Sequence, residues 1–182
     1  LNAVKKRYAA YGSLHTISSI KFPKGMLKSI RFASEMGCEP DFCVWTKKQN
    51  PRPKPNREGL RTFGGHVHIE DGTPATVKAC DLTLGLWSVL HDLDSDRRRL
   101  YGKAGAYRLK DYGIEYRVLS NFWCDNEQFI RKVYQLVRHA QSLEKDIDEL
   151  VTAVGGAARI QGIINNSQIM NARGILKSLG IE

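Results

Sequence analysis

The stretch Gly64-Gly65-His66-Val67-His68-Ile69-Glu70 decides how this chain is read. In an extended strand alternate side chains face opposite ways, so His66, His68 and Glu70 share one face and Val67 and Ile69 the other. A second stretch, Ile114-Glu115-Tyr116-Arg117-Val118, repeats the pattern with Glu115 and Arg117 on one side. Imidazole and carboxylate together suit a divalent cation, and a glycine pair lets a ligand come close to the backbone. A lone H-x-H is more often a plain exposed or hydrogen-bonded strand face; the second polar strand gives the site reading its weight.

Between these strands, residues 96–108 hold Arg97, Arg98, Arg99, Lys103 and Arg108 with two glycines. Guanidinium forks match phosphate oxygens bidentately, so this segment suits a phosphate-gripping loop with little room for a regular element. It equally suits a solvated surface or a nucleic-acid contact, and it lacks the Walker A spacing. Around it, Val77, Cys80, Leu84 and Trp87 recur at helical steps and predict a helix over 75–90 despite Gly85. A longer apolar stripe from Phe129 to Leu150 predicts one helix over 126–154, stopped by Gly155-Gly156. Ser167 is read as the cap of a last helix, 168–179. Residues 14–20, 62–69 and 113–119 are read as strands. Met26, Leu27, Ile30, Ala33 and Met36 predict a helix from Pro23 to the stop at Gly37. Residues 47–61, with prolines at 51, 53 and 55, are read as an exposed basic loop, either a spacer or a flap over an anionic ligand.

Three motifs in order carry a resemblance: G-G-H-V-H-I at 64–69, R-R-x-Y-G-K-A-G-x-Y-R at 98–108 and Y-G-I-E-Y-R-x-L-S-N-F-W at 112–123. With Gly37-Cys38-Glu39-Pro40-Asp41-Phe42, Asn50-Pro51-Arg52-Pro53 and Leu60-Arg61-Thr62, this pattern resembles the phage carboxylate-amine (COOH-NH2) ligases, relatives of glutamine synthetase and glutamate-cysteine ligase. The resemblance implies an α+β, glutamine synthetase-like fold. Its antiparallel sheet would hold the site on a polar face, with helices packed on the other. It implies ATP and Mg2+ or Mn2+ as cofactors, and an acyl-phosphate intermediate that an amine attacks to give an amide. By motif position, His66 and Glu115 are similar to metal ligands, and His68, Arg99, Lys103 and Arg108 to groups holding ATP phosphate. Arg117 is similar to the arginine holding the substrate or acyl phosphate, and Arg108 joins it as catalytic. Asn121 is similar to an asparagine after the same strand. The substrates implied are amino-acid or peptide carboxylates and amines. Relatives place an acidic, metal-binding strand upstream, and Glu39 and Asp41 are the nearest acids here. The chain is therefore expected to be the carboxy-terminal portion of one catalytic domain, with the rest cleaved, absent or on a separate amino-terminal chain, and its activity alone is doubtful.

The 182 residues carry 28 Lys and Arg against 19 Asp and Glu, a formal charge of +9. All of that excess lies in residues 1–61, with 13 cations against 4 acids; residues 62–122, which carry the motifs, balance at 8 and 8. Such a basic end invites nucleic acid as a partner, but helix-turn-helix, zinc-finger and RNA-recognition patterns are lacking. No apolar run approaches the roughly 18–20 residues of a membrane span. Cys38, Cys43, Cys80 and Cys124 form no C-x-x-C pair and are expected to be reduced thiols, which also weakens a zinc site built on His66 and His68. The cytoplasm of an infected bacterial host, or the virion with phage-particle proteins as partners, is the expected setting. The competing function is a non-catalytic structural remnant that keeps the ligase fold.

Overall fold

Thr73 opens the element around which the chain packs. The computed structural model describes residues 2–23, 25–29, 39–53 and 59–181. There, Thr73 Oγ1 accepts from the backbone N–H groups of Ala75 (3.1 Å) and Thr76 (3.4 Å), while Thr76 Oγ1 accepts from Thr73 N at 2.7 Å. This reciprocal cap, with Pro74 in the first turn, satisfies donors that a helix start leaves orphaned. After a short exposed helix, α1 (Asn2–Tyr8), the helix so opened is α2 (Pro74–Cys80), which runs through a π-type turn (Asp81–Gly85) into α3 (Leu86–His91). Val77, Ala79, Cys80, Leu82, Leu84, Leu86 and Val89 are all fully buried, because this axis is enclosed on every side.

Around it lie α4 (Ser95–Leu100), α5 (Glu127–Ser142), α6 (Ile147–Ala153), α7 (Ala157–Asn165) and α8 (Ile169–Ser178). The strands are β1 (Ser19–Lys21), β2 (Phe42–Cys43), β3 (Lys48–Gln49), β4 (Leu60–Thr62), β5 (Val67–Glu70), β6 (Ala106–Lys110) and β7 (Gly113–Tyr116). Among the described residues β1 pairs with β4 alone; the main sheet has the order β3-β2-β6-β7-β5, antiparallel throughout. Ile69, Ile114 and Tyr116 on one face join the central helix in a single core. The architecture is α+β with antiparallel sheets, and no described helix is long and apolar enough to cross a membrane. Cys43, Cys80 and Cys124 are free thiols.

Several expectations are corrected. The predicted strand 62–69 divides between β4 and β5, in different sheets, because the chain turns at Phe63–His66 and Arg97 Nε takes the Phe63 carbonyl at 2.9 Å. Strand 113–119 leaves the ladder after Tyr116, where Arg97 binds the carbonyls of Val118 and Leu119, both at 2.8 Å. The single helix over 126–154 breaks at Leu143; Glu144 turns back to accept from Thr76 Oγ1 (2.8 Å), placing a carboxylate at the positive start of α2. Ser167 does not cap α8: its φ is 51°, its hydroxyl is buried without a partner, and Gln168 holds the cap position. Helix α7 was not anticipated, although Ile160, Ile163 and Ile164 are its buried stripe. The segment 96–108, expected to leave little room for a regular element, lies largely in α4 and β6. Within the basic loop, Lys48–Gln49 form an edge strand beside β2. Of the helix expected from Pro23, only a 3-10 turn at Met26–Ser29 falls on described residues; the remainder, with Cys38, lies outside them.

Candidate active site on the polar face of the sheet

Register brings the expected residues into rows. His68 lies opposite Glu115, and Glu115 opposite Arg108, so β5, β7 and β6 present these three side chains on one face. One step along, Arg117 N bonds the Ala106 carbonyl (2.9 Å) and Arg117 projects on the same side as Glu115. The alternate residues Ile69, Ile114 and Tyr116 go to the core.

Arg117 is the hub. Its buried guanidinium donates from Nε to Asp41 Oδ2 (3.2 Å) and from Nη1 to Glu115 Oε1. His66 Nδ1 stands 2.7 Å from the same Glu115 oxygen and 3.3 Å from Arg117 Nη1. The Tyr101 hydroxyl lies 3.1 Å from His66 Nε2, and the Arg117 guanidinium sits 5.2 Å from the Tyr101 ring centre. Burial, then Arg117, pull the His66 pKa down from 6.5 to about 4, with Glu115 partly opposing. The ring is therefore neutral at pH 7. A proton on Nδ1, given to Glu115, with Nε2 accepting from Tyr101, is the tautomer that satisfies the Glu115 and Tyr101 contacts, and Arg117 Nη1 then donates to Glu115 rather than to the ring. Lys110 Nζ completes the surroundings of Glu115 at 3.6 Å from Oε2.

The glycine pair serves the protein's own packing. A Cβ at Gly65 would lie 2.3 Å from the Ser120 carbonyl oxygen, and one at Gly64 would lie 2.4 Å from His66 Nε2. The approach that the sequence suggested for a ligand is filled by the 119–123 turn and by the histidine ring itself.

The arginine run divides. Arg97, fully buried, holds three carbonyls; burial and then the neighbouring Arg98 lower its pKa to about 9, which leaves it cationic. Arg98 is buried and donates to Ser88 Oγ at 3.0 Å. Only Arg99 reaches solvent, 3.3 Å from Asp96, and with Lys103 it lines a cleft of about 240 Å³ floored by Asp41 and Tyr101. Arg108 instead donates to the Glu39 carbonyl, and His68, at the β5 edge of the same face, bonds the Tyr112 hydroxyl. The expected phosphate-binding set is thus split among three places. Asn121 leads a 3-10 turn with its side-chain oxygen buried and without a hydrogen-bond partner.

Tyr101, Asn50 and Arg52 belong to this site and were not singled out from sequence; Asp41, named there only as one of the nearest acids to a metal-binding strand, instead pairs with Arg117. Asn50 donates to Asp41 through Nδ2 (2.8 Å) and through its backbone N–H (2.7 Å), which ties the proline loop to Arg117. All four fall within the quoted motif stretches, where Tyr101, Asn50 and Arg52 were available but had no role attached. For a metal, the described residues offer two converging donors, His66 and Glu115, and a guanidinium already shares both; no group of three His, Cys, Asp or Glu side chains assembles among them. That donor set does not fit a resident metal centre.

Neither a curated protein nor a solved structure matches the chain. Residues 59–153 match the family model for phage phiEco32-like COOH.NH2 ligase-type 2, and this segment contains His66, His68, Arg99, Lys103, Arg108, Glu115 and Arg117. The match covers half of the chain, which belongs to that ligase family.

Proposed function

We propose that the protein joins a carboxylate to an amine at the expense of ATP, on the polar sheet face of a glutamine synthetase-like fold. The observation that carries this reading is the cluster of Arg117, Asp41, Glu115 and His66 on that face, flanked by further cations, inside a segment that matches a ligase family. A substrate carboxylate oxygen attacks the γ-phosphorus of ATP and ADP leaves. The amine nitrogen then attacks the acyl carbon, and phosphate departs with the proton the nitrogen gives up. Both steps pass through crowded negative charge, which fixed cations stabilise without reorganising.

Arg99 and Lys103 in the cleft and Arg108 on β6 are assigned to phosphate, and His68 to the far end of the same face. Arg117, braced by Asp41 and Glu115, holds the line along which carboxylate and phosphate meet. With His66 and Glu115 as the only converging donors among the described residues, further ligands for a divalent cation would have to come from another segment or chain, and the outer edge of β5 is where an added strand would lie. That same shortage is the specific observation favouring the second reading, a remnant that keeps the fold without turnover.

The test is ADP release by the full-length protein with Mg-ATP across a panel of amino acids and peptides. The ligase reading expects release that requires both an acid and an amine and falls at least about tenfold in Glu115→Gln. No ADP with any pair would support the remnant.

A further inference from the structure

Arg52 is a cation that the proposed reaction leaves unassigned, and it stands in a conformationally constrained stretch of an exposed loop. It sits between Pro51 and Pro53. A residue preceding proline is kept to extended conformations, and each proline fixes its own φ, so the segment loses little further freedom when a ligand arrives. The loop is also pinned immediately upstream: Asn50 bonds Asp41 twice, and Asp41 is bonded by Arg117. Two residues beyond that pin, Arg52 lines the 240 Å³ cleft together with Arg99 and Lys103. Among the described residues neither Arg52 nor Lys103 meets a carboxylate, and the floor carboxylate of Asp41 is already taken by Asn50 and Arg117. Glu39 is the other acid on the lining, set against three cations.

We propose that Arg52, held in register by the Asn50–Asp41–Arg117 chain, closes a three-cation clamp with Arg99 and Lys103 on an anionic oxygen group of the bound ligand. The inference rests on the ligase reading of the same site for the ligand's identity, and its chemistry admits a phosphate chain or a carboxylate-rich acid. Asn50 is a positioning residue: it touches no ligand and sets where Arg52 stands. Residues 50–53 of that loop are then neither a spacer nor a loose flap but one wall of the cleft.

The experiment titrates the full chain with inorganic triphosphate in one arm and citrate in the other, by calorimetry at fixed ionic strength. Arg52→Ala should weaken whichever anion binds by about tenfold or more, Arg52→Lys should recover part of that, and Asn50→Ala should cost about threefold with no change of charge. Arg131→Ala, an exposed i,i+4 partner of Glu127 on α5, removes the same charge far from the cleft and should change affinity less than about twofold. Tight binding of triphosphate assigns the clamp to phosphate, and tight binding of citrate assigns it to the carboxylic substrate. Binding of neither anion by the native chain, or equal losses in Arg52→Ala and Arg131→Ala, overturns the proposal. Failure of the ligase reading would look different, as absent ADP release with anion binding and its Arg52 dependence intact.

Discussion

Glu115 and Tyr116 are neighbours on β7 and point into opposite worlds. On the site face, Glu115 and Asp41 share one guanidinium, that of Arg117, with His66 and Lys110 close by. On the core face, Tyr116 donates to Asp81 Oδ1 (2.7 Å) and Trp45 Nε1 donates to Oδ2 (2.6 Å), so a fully buried carboxyl is held mainly by neutral donors. Burial lifts Asp81 from 3.8 to about 7, against the pull of those hydrogen bonds and of Arg98. On the site face two carboxylates share a cation beside a cleft; on the core face, with hydroxyl, indole and a backbone amide as its hydrogen-bond donors, the buried carboxyl is neutral through much of the acid range and ties helix to sheet.

The largest effect expected from breaking this contrast is Arg117→Met. It leaves Asp41 and Glu115 without their shared cation, and urea unfolding should show a loss of roughly 3–5 kcal/mol. The core cluster should answer to pH. Asp81 has a folded pKa raised above its unfolded value, so its contribution is present below about pH 4 and is lost as pH rises through about 7. Unfolding free energies of the native protein, relative to Asp81→Asn, should therefore fall by about 4 kcal/mol between pH 4 and pH 8. Parallel curves would place the contrast elsewhere. Glu115→Gln should leave the core slope untouched and lower ADP release by about 10–100-fold, separating the two faces functionally. Thr73→Ala, which loosens the start of the helix carrying Asp81 without touching either cluster, should cost about 1 kcal/mol in the same unfolding assay.

The parts of this design that follow a simple period were legible in sequence. Alternation put His66 and His68 opposite Ile69, and Glu115 opposite Tyr116, and helical spacing found the central helix. What failed was every place where tertiary contacts override local preference. Arg97 and Arg98 read as solvated or phosphate-binding cations, yet they are buried and hydrogen-bonded inside the protein, and they turn a supposed loop into α4. Glu144 breaks a continuous apolar stripe because it closes the start of α2. In the site, Asp41 and Asn50 gained meaning only when folding placed them 76 and 67 residues from Arg117 in sequence but within one hydrogen-bonded chain. No spacing rule reaches that far.

The central claim is that carboxylate activation takes place on the Arg117 face. Hydroxylamine traps acyl phosphates as hydroxamates, so the most direct measurement supplies it in place of the amine, with Mg-ATP and a panel of amino-acid and peptide carboxylates, to the full-length protein. Hydroxamate should form with one or more acids, in step with ADP and reduced about 10–100-fold in Glu115→Gln. Neither hydroxamate nor ADP with any acid, from protein that still binds triphosphate, would contradict the claim.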